Sequence, residues 1–380
     1  MTLTRAQLER RARADLDRLR TPQGWLQAGL PRFARLFGRD AAISAWQLLD
    51  EDPSVAAATI GALAARQGRV YDRRREEEPG KIPHEVPVRW ADLARLELRK
   101  QFRWGFPYYG SIDSTTWWVR LLDAYVARTG DRVLLEEMTP NLVRAAAWMA
   151  GPARIGALDL VAYQRANPAG LAHQGWRDSG LAEVAITPPV AVVEAQGYQV
   201  AAVAALERLG IDVPPGARLD PERFHGAYWM ADQHTYGLAV GGDGVLVRMV
   251  TSNAGHLLGT GILSAERSRL LADRLLVEDL WTPAGIRTHS TADSWFDADS
   301  YHLGSVWPHD NWVIHEGLRA VGRYHDAARV RHAVLDALCR LEAIPELYAV
   351  HGDTPVALPM AQPLQAWSSG AVISFLAADR

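Results

Sequence analysis

Apolar residues recur at i, i+3 and i+4 through residues 93–102, 117–128, 134–149, 190–209, 266–276, 312–321 and 327–341. That spacing lays one apolar stripe along a 3.6-residue helix, so each stretch is predicted to be an amphipathic helix. End signals agree with the pattern. Asp113 or Ser114 stands where the helix carrying Trp117 and Trp118 needs an N-cap, and Gly130, Gly210 and Gly322 stand where left-handed terminators belong. Strand signals are few. Residues 237–240 and 245–250 flank Gly241-Gly242-Asp243-Gly244 and read as one short hairpin. Strands and helices do not alternate as a parallel sheet requires, no period of about 20–50 residues repeats, and no low-complexity linker divides the chain. The expectation is a mainly α protein forming a single domain over residues 1–380.

Between these helices lie long polar and aromatic stretches at 70–89, 103–111, 165–182, 282–310 and 344–365. Loops of this length in a compact protein are uncommon unless they carry function. Helices as scaffold with aromatic loops at one end describe an α-barrel enzyme with its site on the rim. The length of 380 residues exceeds what one simple core usually supports, which a closed barrel accommodates.

Composition narrows the partners. No run approaches the roughly 20 apolar residues of a membrane helix, and the first twenty residues alternate charge with apolar positions instead of forming a secretory core. A cytoplasmic protein with no membrane partner is expected. The single cysteine, Cys339, excludes an internal disulfide and a multi-thiolate zinc site. With a net charge of −3 and no long basic run, the chain offers no footprint for nucleic acid.

The chemistry-bearing residues concentrate in the loops. Tyr108, Tyr109, Trp117, Trp118, Trp176, Trp295, Trp307, Trp312 and Trp367 accompany Arg39, Asp40, Asp113, Asp178, His302, His309, Asp310 and Gln365. Aromatic faces beside fixed hydrogen-bonding groups suit sugar rings, so carbohydrate is the expected substrate class. The competing reading is that a given tryptophan fills the core. Glycoside hydrolysis needs one carboxylic acid and a second carboxylate. Asp178, in Gln174-Gly175-Trp176-Arg177-Asp178, and Glu346, in Ile344-Pro345-Glu346-Leu347, have the neighbours that could desolvate them. By spacing alone, each is more often a salt-bridged or solvated carboxylate than a catalyst. His302, His309 and Asp310 match no strong metal spacing, the Gly-x-Ser-x-Gly elbow is absent, and Gly241 to Gly244 is not a phosphate loop. Neither metal nor cofactor is expected.

The ordered motifs resemble a known family. They are Leu36-Phe37-Gly38-Arg39-Asp40, Lys81-Ile82-Pro83-His84-Glu85, Tyr108-Tyr109-Gly110-Ser111-Ile112-Asp113, His173-Gln174-Gly175-Trp176-Arg177-Asp178-Ser179-Gly180, Glu194-Ala195-Gln196-Gly197-Tyr198, Thr251-Ser252-Asn253-Ala254-Gly255-His256, Tyr301-His302-Leu303-Gly304-Ser305-Val306-Trp307-Pro308-His309-Asp310, Ile344-Pro345-Glu346-Leu347 and Gln365-Ala366-Trp367. In this order they resemble the catalytic domain of bacterial glycogen-debranching amylo-α-1,6-glucosidase-like proteins, within the six-hairpin glycosidases. The resemblance implies an (α/α)6 barrel with Asp178 as general acid and Glu346 as general base. It also implies that Arg39 and Asp40 grip the terminal sugar, with Tyr108, Tyr109, Asp113, Gln174, Trp176, Arg177, Gln196, His302, Trp307, His309, Asp310, Gln365 and Trp367 lining the substrate site. The implied activity is an inverting exo-acting α-glycosidase on a glucan branch stub or a small α-glucoside. Only about 35 residues precede the first motif, and compact relatives such as mannosylglycerate hydrolase act on small glycosides. Hydrolysis of mannosylglycerate or glucosylglycerate is therefore an alternative expectation. A phosphorylase or epimerase on the same barrel, and a non-catalytic carbohydrate-binding protein, are the others.

Overall fold

The computed structural model describes residues 2–87, 104–151, 153–154, 159–178 and 186–378. The helix predicted at 93–102 and the Ser179-Gly180 end of the Asp178 motif lie outside the described residues. The chain divides into two compact units whose segments interleave in sequence. Met1–Arg18, Ser179–Gly197 and Asp220–Arg380 form one, here the Glu346 unit, and Leu19–Asp178 with Tyr198–Leu219 form the other, the Asp178 unit.

Helix α1 (Arg5–Leu19) opens the Glu346 unit. The Asp178 unit is built on α2 (Gly38–Gln47), α3 (Pro53–Ala64), α4 (Ser114–Thr129) and α5 (Arg132–Ala150), with α2 and α3 both packed on α4. Local signals set the ends. Asp52 accepts from the Ser54 N–H with Pro53 at the first helical position, Asp131 accepts from the Leu134 N–H, and Gly130 closes α4 at φ 71°. A cap contributes about 1 kcal/mol. Burying Val119, Leu121 and Leu122 of α4 contributes about 1.5–3 kcal/mol per side chain, so packing decides this helix.

The tryptophans of α4 belong to that core. Trp117 and Trp118 are buried, and the Trp118 indole donates to the Ile60 carbonyl at 3.1 Å. Trp312 behaves alike in the Glu346 unit, donating to Ser374 Oγ at 2.9 Å. The sequence pattern groups these three with the sugar-facing aromatics. All three are buried, and Trp118 and Trp312 bond their indole N–H groups within their own units. Trp295 is 40% exposed.

Helix α6 (Val193–Arg208) begins three residues later than its periodicity predicts, because Ala191–Val192 is drawn into a sheet. That sheet holds the predicted hairpin, with Ala239 opposite Val247 and Val240 opposite Leu246, and adds Ala191–Val192 antiparallel to Ala239–Val240. The Glu346 unit continues through α7 (Pro221–Tyr228), α8 (Ala265–Leu275), α9 (Pro308–Ala320), α10 (Tyr324–Leu341) and α11 (Ala366–Ala377). Helix α9 packs on both α10 and α11. The stretch 344–365, expected as loop, contains a second hairpin that pairs Tyr348–His351 with Thr354–Ala357. Among the described residues no helix is long and apolar enough to cross a membrane.

Candidate active site

In the Asp178 unit the site starts where a strand runs straight into a helix. Arg35–Phe37 pairs antiparallel with Glu85–Pro87, Phe37 opposite Glu85, and α2 begins at the next residue. Gly38 makes this possible. A Cβ there would stand 2.2 Å from the Pro83 carbonyl and 2.7 Å from Ser114 Oγ, so only glycine lets the start of α2 approach the start of α4. Arg39 and Asp40 therefore occupy the first turn of α2. Asp40 is the third helical residue, inside the first turn, and does not cap the helix.

Arg39 is the centre of the cluster. One guanidinium nitrogen donates to both oxygens of Asp113 at 3.1 Å each. Asp178 lies 3.8 Å away and Asp40 4.0 Å away. Arg39 is thus shared among three carboxylates instead of forming a discrete pair with Asp40. Asp113 is fully buried and accepts a further bond from Ser111 Oγ at 2.7 Å. Its expected helix cap is supplied by Ser111, whose Oγ accepts from the Ser114 N–H at 3.2 Å. Ser111 thereby leaves the Asp113 carboxylate to the guanidinium.

Enclosure controls protonation here. Burial pushes the Asp178 carboxyl up to about 6, with Arg39 opposing and Asp113 reinforcing the shift. About 30% of that side chain remains accessible, so the group is partly desolvated yet reachable. Burial likewise pushes Asp40 up to about 7 against Arg39, and Glu85 up to about 7 against its ion-pair partner Arg35. His84 is driven well below its ordinary range by burial and by Arg39, Arg35 and Lys81, which keeps its ring neutral.

Asp40 gives a stability prediction. The folded chain holds its proton up to about pH 7 whereas an unfolded aspartate releases it near 3.8, so stability falls as pH rises through that window. Asp40→Asn is neutral throughout and is expected to flatten the fall. Its Tm should exceed the wild-type value at about pH 8 and match it at about pH 4. Melting curves across the range check this, and a lower Tm at the alkaline end would show that the ionised carboxylate stabilises the fold.

The other expected residues of this unit divide. Gln174, Trp176 and Arg177 are all buried on the segment that ends at Asp178. Tyr108 stacks on Trp104 with ring centroids 4.7 Å apart, and its hydroxyl accepts from the Leu171 N–H at 2.8 Å on that same segment. Tyr109 donates its hydroxyl to the Arg66 carbonyl at 2.7 Å, outside the Arg39 cluster.

In the Glu346 unit, Glu346 is 2% exposed. Its two carboxyl oxygens accept from the Gln362 N–H at 3.1 Å and from Gln365 Nε2 at 3.4 Å, and its own N–H donates to the Gln362 carbonyl. Two donors on the carboxyl group suit the anion. Gln365 leads into α11, where Trp367 stacks on His309 at 3.7 Å and 4°. Trp307 meets Trp367 edge-on at 6.1 Å and stacks on His302 at 5.0 Å. The structure thus brings Glu346 and Gln365 together, and likewise Trp367, His309, Trp307 and His302. Asp310 lies in the first turn of α9, bonded through Oδ1 to His256 Nε2 at 2.7 Å. Gln196 is buried, with its amide donating to the Val192 carbonyl at 3.0 Å.

Sequence reasoning missed His256, Gln362, Ser111, Arg35 and Glu85 as parts of these clusters. His256, Ser111 and Glu85 stand inside quoted motifs, which is the available signal. Among the described residues no group of three or more His, Cys, Asp or Glu side chains is arranged to hold a metal.

Residues 224–367, which include Glu346 and its surroundings, match the mannosylglycerate hydrolase MGH1-like glycoside hydrolase domain. The crystal structure of GH63 mannosylglycerate hydrolase from Thermus thermophilus in complex with Tris is similar at a TM-score of 0.71 and 16% identity, over 97% of this chain and 100% of that one. The same hydrolase in complex with Tris and D-glycerate gives 0.72 and 17% over 98% and 100% of the two chains. Its glucose complex gives 0.69 and 16% over 97% and 99%. No curated protein matches the chain. The fold is that of the (α/α)6-barrel glycosidases, and the protein is a glycoside hydrolase.

Proposed function

We propose that this glycoside hydrolase is an inverting enzyme for a small α-glycoside of the mannosylglycerate or glucosylglycerate type, with Asp178 as general acid and Glu346 as general base, and that residues 1–380 act as one catalytic domain. The observation that carries the acid assignment is the Asp178 carboxyl. It is raised to about 6, lies 3.8 Å from Arg39 and keeps about 30% of its side chain accessible. Such a group keeps its proton up to about pH 6, well above an ordinary aspartate, and can deliver it to a leaving oxygen. Glu346, held between two hydrogen-bond donors, suits the complementary role of accepting a proton from water.

The small-glycoside reading draws support from the matched domain and from the D-glycerate complex of the T. thermophilus hydrolase. These favour it over the glucan branch stub suggested by the motif resemblance. Arg39 and Asp113 then serve different ends. Asp113, sealed and doubly bonded, orients the guanidinium, and Arg39 with Asp40 is left to meet sugar hydroxyls.

A panel containing mannosylglycerate, glucosylglycerate and an α-1,6-linked glucan stub, each with and without phosphate, tests the proposal. Free sugar released without phosphate, with the anomeric configuration inverted in proton NMR of the first product, is the expected outcome. A retained anomer would remove Glu346 as the water-activating base, and phosphate dependence would make the enzyme a phosphorylase. Glu346→Gln is expected to lower kcat by about 10²–10⁴-fold, the usual worth of a general base. Turnover within a few-fold of wild type in that variant would end its assignment.

A further inference from the structure

A residue outside every quoted motif grips the segment that ends at Asp178. Glu76 has φ 55°, a left-handed conformation that is sterically unfavourable for any residue with a Cβ, and it is only 5% exposed. A conformation of this kind persists when its surroundings over-determine it. Here they do. Glu76 Oε1 accepts from the Asn167 N–H at 3.2 Å, and Oε2 accepts from the side-chain amide of Gln174. Asn167 returns a bond from Nδ2 to the Arg74 carbonyl at 2.7 Å. Gly170 provides the room, since a Cβ there would come within 2.5 Å of Glu76 Oε1 and 2.7 Å of the Tyr108 hydroxyl. Two further ties complete the hold: Leu171 N–H to the Tyr108 hydroxyl at 2.8 Å, and Ile112 N–H to the Gln174 carbonyl at 2.9 Å. Burial raises the Glu76 carboxyl, while Lys81, Asn167 and Gln174 favour its ionised form.

We infer that Glu76 is a positioning residue, which acts through Gln174 and Asn167 to fix the 167–178 segment and so to set Asp178 against Arg39. The inference rests on the reading of Asp178 as general acid. Gln174 is only four residues before Asp178, so releasing its amide frees the backbone next to the acid. A displacement of about 1 Å at a reacting group can cost about 10²-fold in rate. Glu76 itself need not touch substrate.

The test uses the full chain and the variants Glu76→Ala, Glu76→Gln, Gln174→Ala and the double variant Glu76→Ala/Gln174→Ala. Two readouts are taken: kcat and KM on whichever glycoside the wild type hydrolyses, and hydrogen exchange of the 167–178 peptide. Glu76→Ala is expected to lower kcat by about 10²-fold with a smaller change in KM, and to speed exchange in that peptide. Glu76→Gln should recover most of the activity, because Gln174 can turn its amide and offer oxygen to the new donor. In the Gln174→Ala background, Glu76→Ala should cost far less than it does alone. A purely structural role would instead lower Tm in Glu76→Ala while leaving kcat in the folded fraction unchanged and the coupling to Gln174 at zero. Additive effects of the two alanines, or unchanged exchange in 167–178, would overturn the inference. Should the wild type release no sugar from any glycoside, the general-acid reading fails, and exchange alone then decides whether Glu76 holds the segment. If Glu76→Ala does not fold, Glu76→Gln and Gln174→Ala still separate these outcomes.

Discussion

Asp178→Asn is expected to lower kcat by about 10³-fold, within the range usual for loss of a general acid. The amide preserves the shape of the carboxyl but has no proton to give a leaving oxygen. In the wild type the rate should fall on the alkaline side above about pH 6, because enclosure sets the Asp178 carboxyl there and only its protonated form is competent. That limb should vanish from the residual rate of the variant. Stability should move the other way. A carboxyl whose folded value is raised from 3.8 to about 6 makes the fold less stable as pH rises through that interval, so above it the neutral amide removes an unfavourable charge. A variant that is nearly inactive with a Tm at or above wild type at neutral pH is the combined expectation, read by initial rates and calorimetry on the same preparation. Near wild-type turnover, or an unshifted alkaline limb, would take the acid role from Asp178.

Arg39→Met should have the largest effect on stability. Arg39 is 3% exposed and Asp113 is fully buried, with both carboxyl oxygens at 3.1 Å from the guanidinium. Removing one partner of a buried ion pair strands the other, which typically costs about 3–5 kcal/mol. Asp40 and Asp178 lose the same counter-charge, deepening the loss. The destabilisation should shrink as pH is lowered, because the stranded carboxyls can then bind protons. Arg39→Lys keeps the charge but not the planar fork, so it should fold better than Arg39→Met while moving the alkaline limb of the rate. Urea unfolding at neutral and acid pH provides the measurement. A loss below about 1 kcal/mol would assign the cluster to the class of weak exposed pairs.

These two residues show how much of the protein could be read from its sequence. Asp178 and Glu346 are named by their immediate neighbours and by ordered motifs, and the helices at Ser114–Thr129, Arg132–Ala150, Ala265–Leu275, Pro308–Ala320 and Tyr324–Leu341 follow the apolar period to within a few residues. Departures arise where a nonlocal partner competes. Ala191–Val192 leaves the predicted helix because Ala239–Val240 offers a strand edge. Trp117, Trp118 and Trp312 go to the core because a helix periodic in apolar residues turns its aromatics inward with the rest.

Periodicity, capping and short motifs are properties of adjacent residues, so the amino-acid sequence by itself determined the helical class, the approximate extent of about half the helices, the hairpin turn and the two carboxylates nominated for catalysis. Partner choice is of another kind. Arg39 meets Asp113 across 74 positions, and Glu76 meets Gln174 across 98. Nothing in the local pattern around Arg39 distinguishes Asp113 from the adjacent Asp40, and nothing around Glu76 marks it apart from Glu77 or Glu78. The protonation of Asp178, the sharing of Arg39 among three carboxylates and the grip of Glu76 were decided only by tertiary structure. Desolvation and Coulomb interaction depend on which groups the fold brings within a few ångströms, and residue order along the chain does not specify that distance.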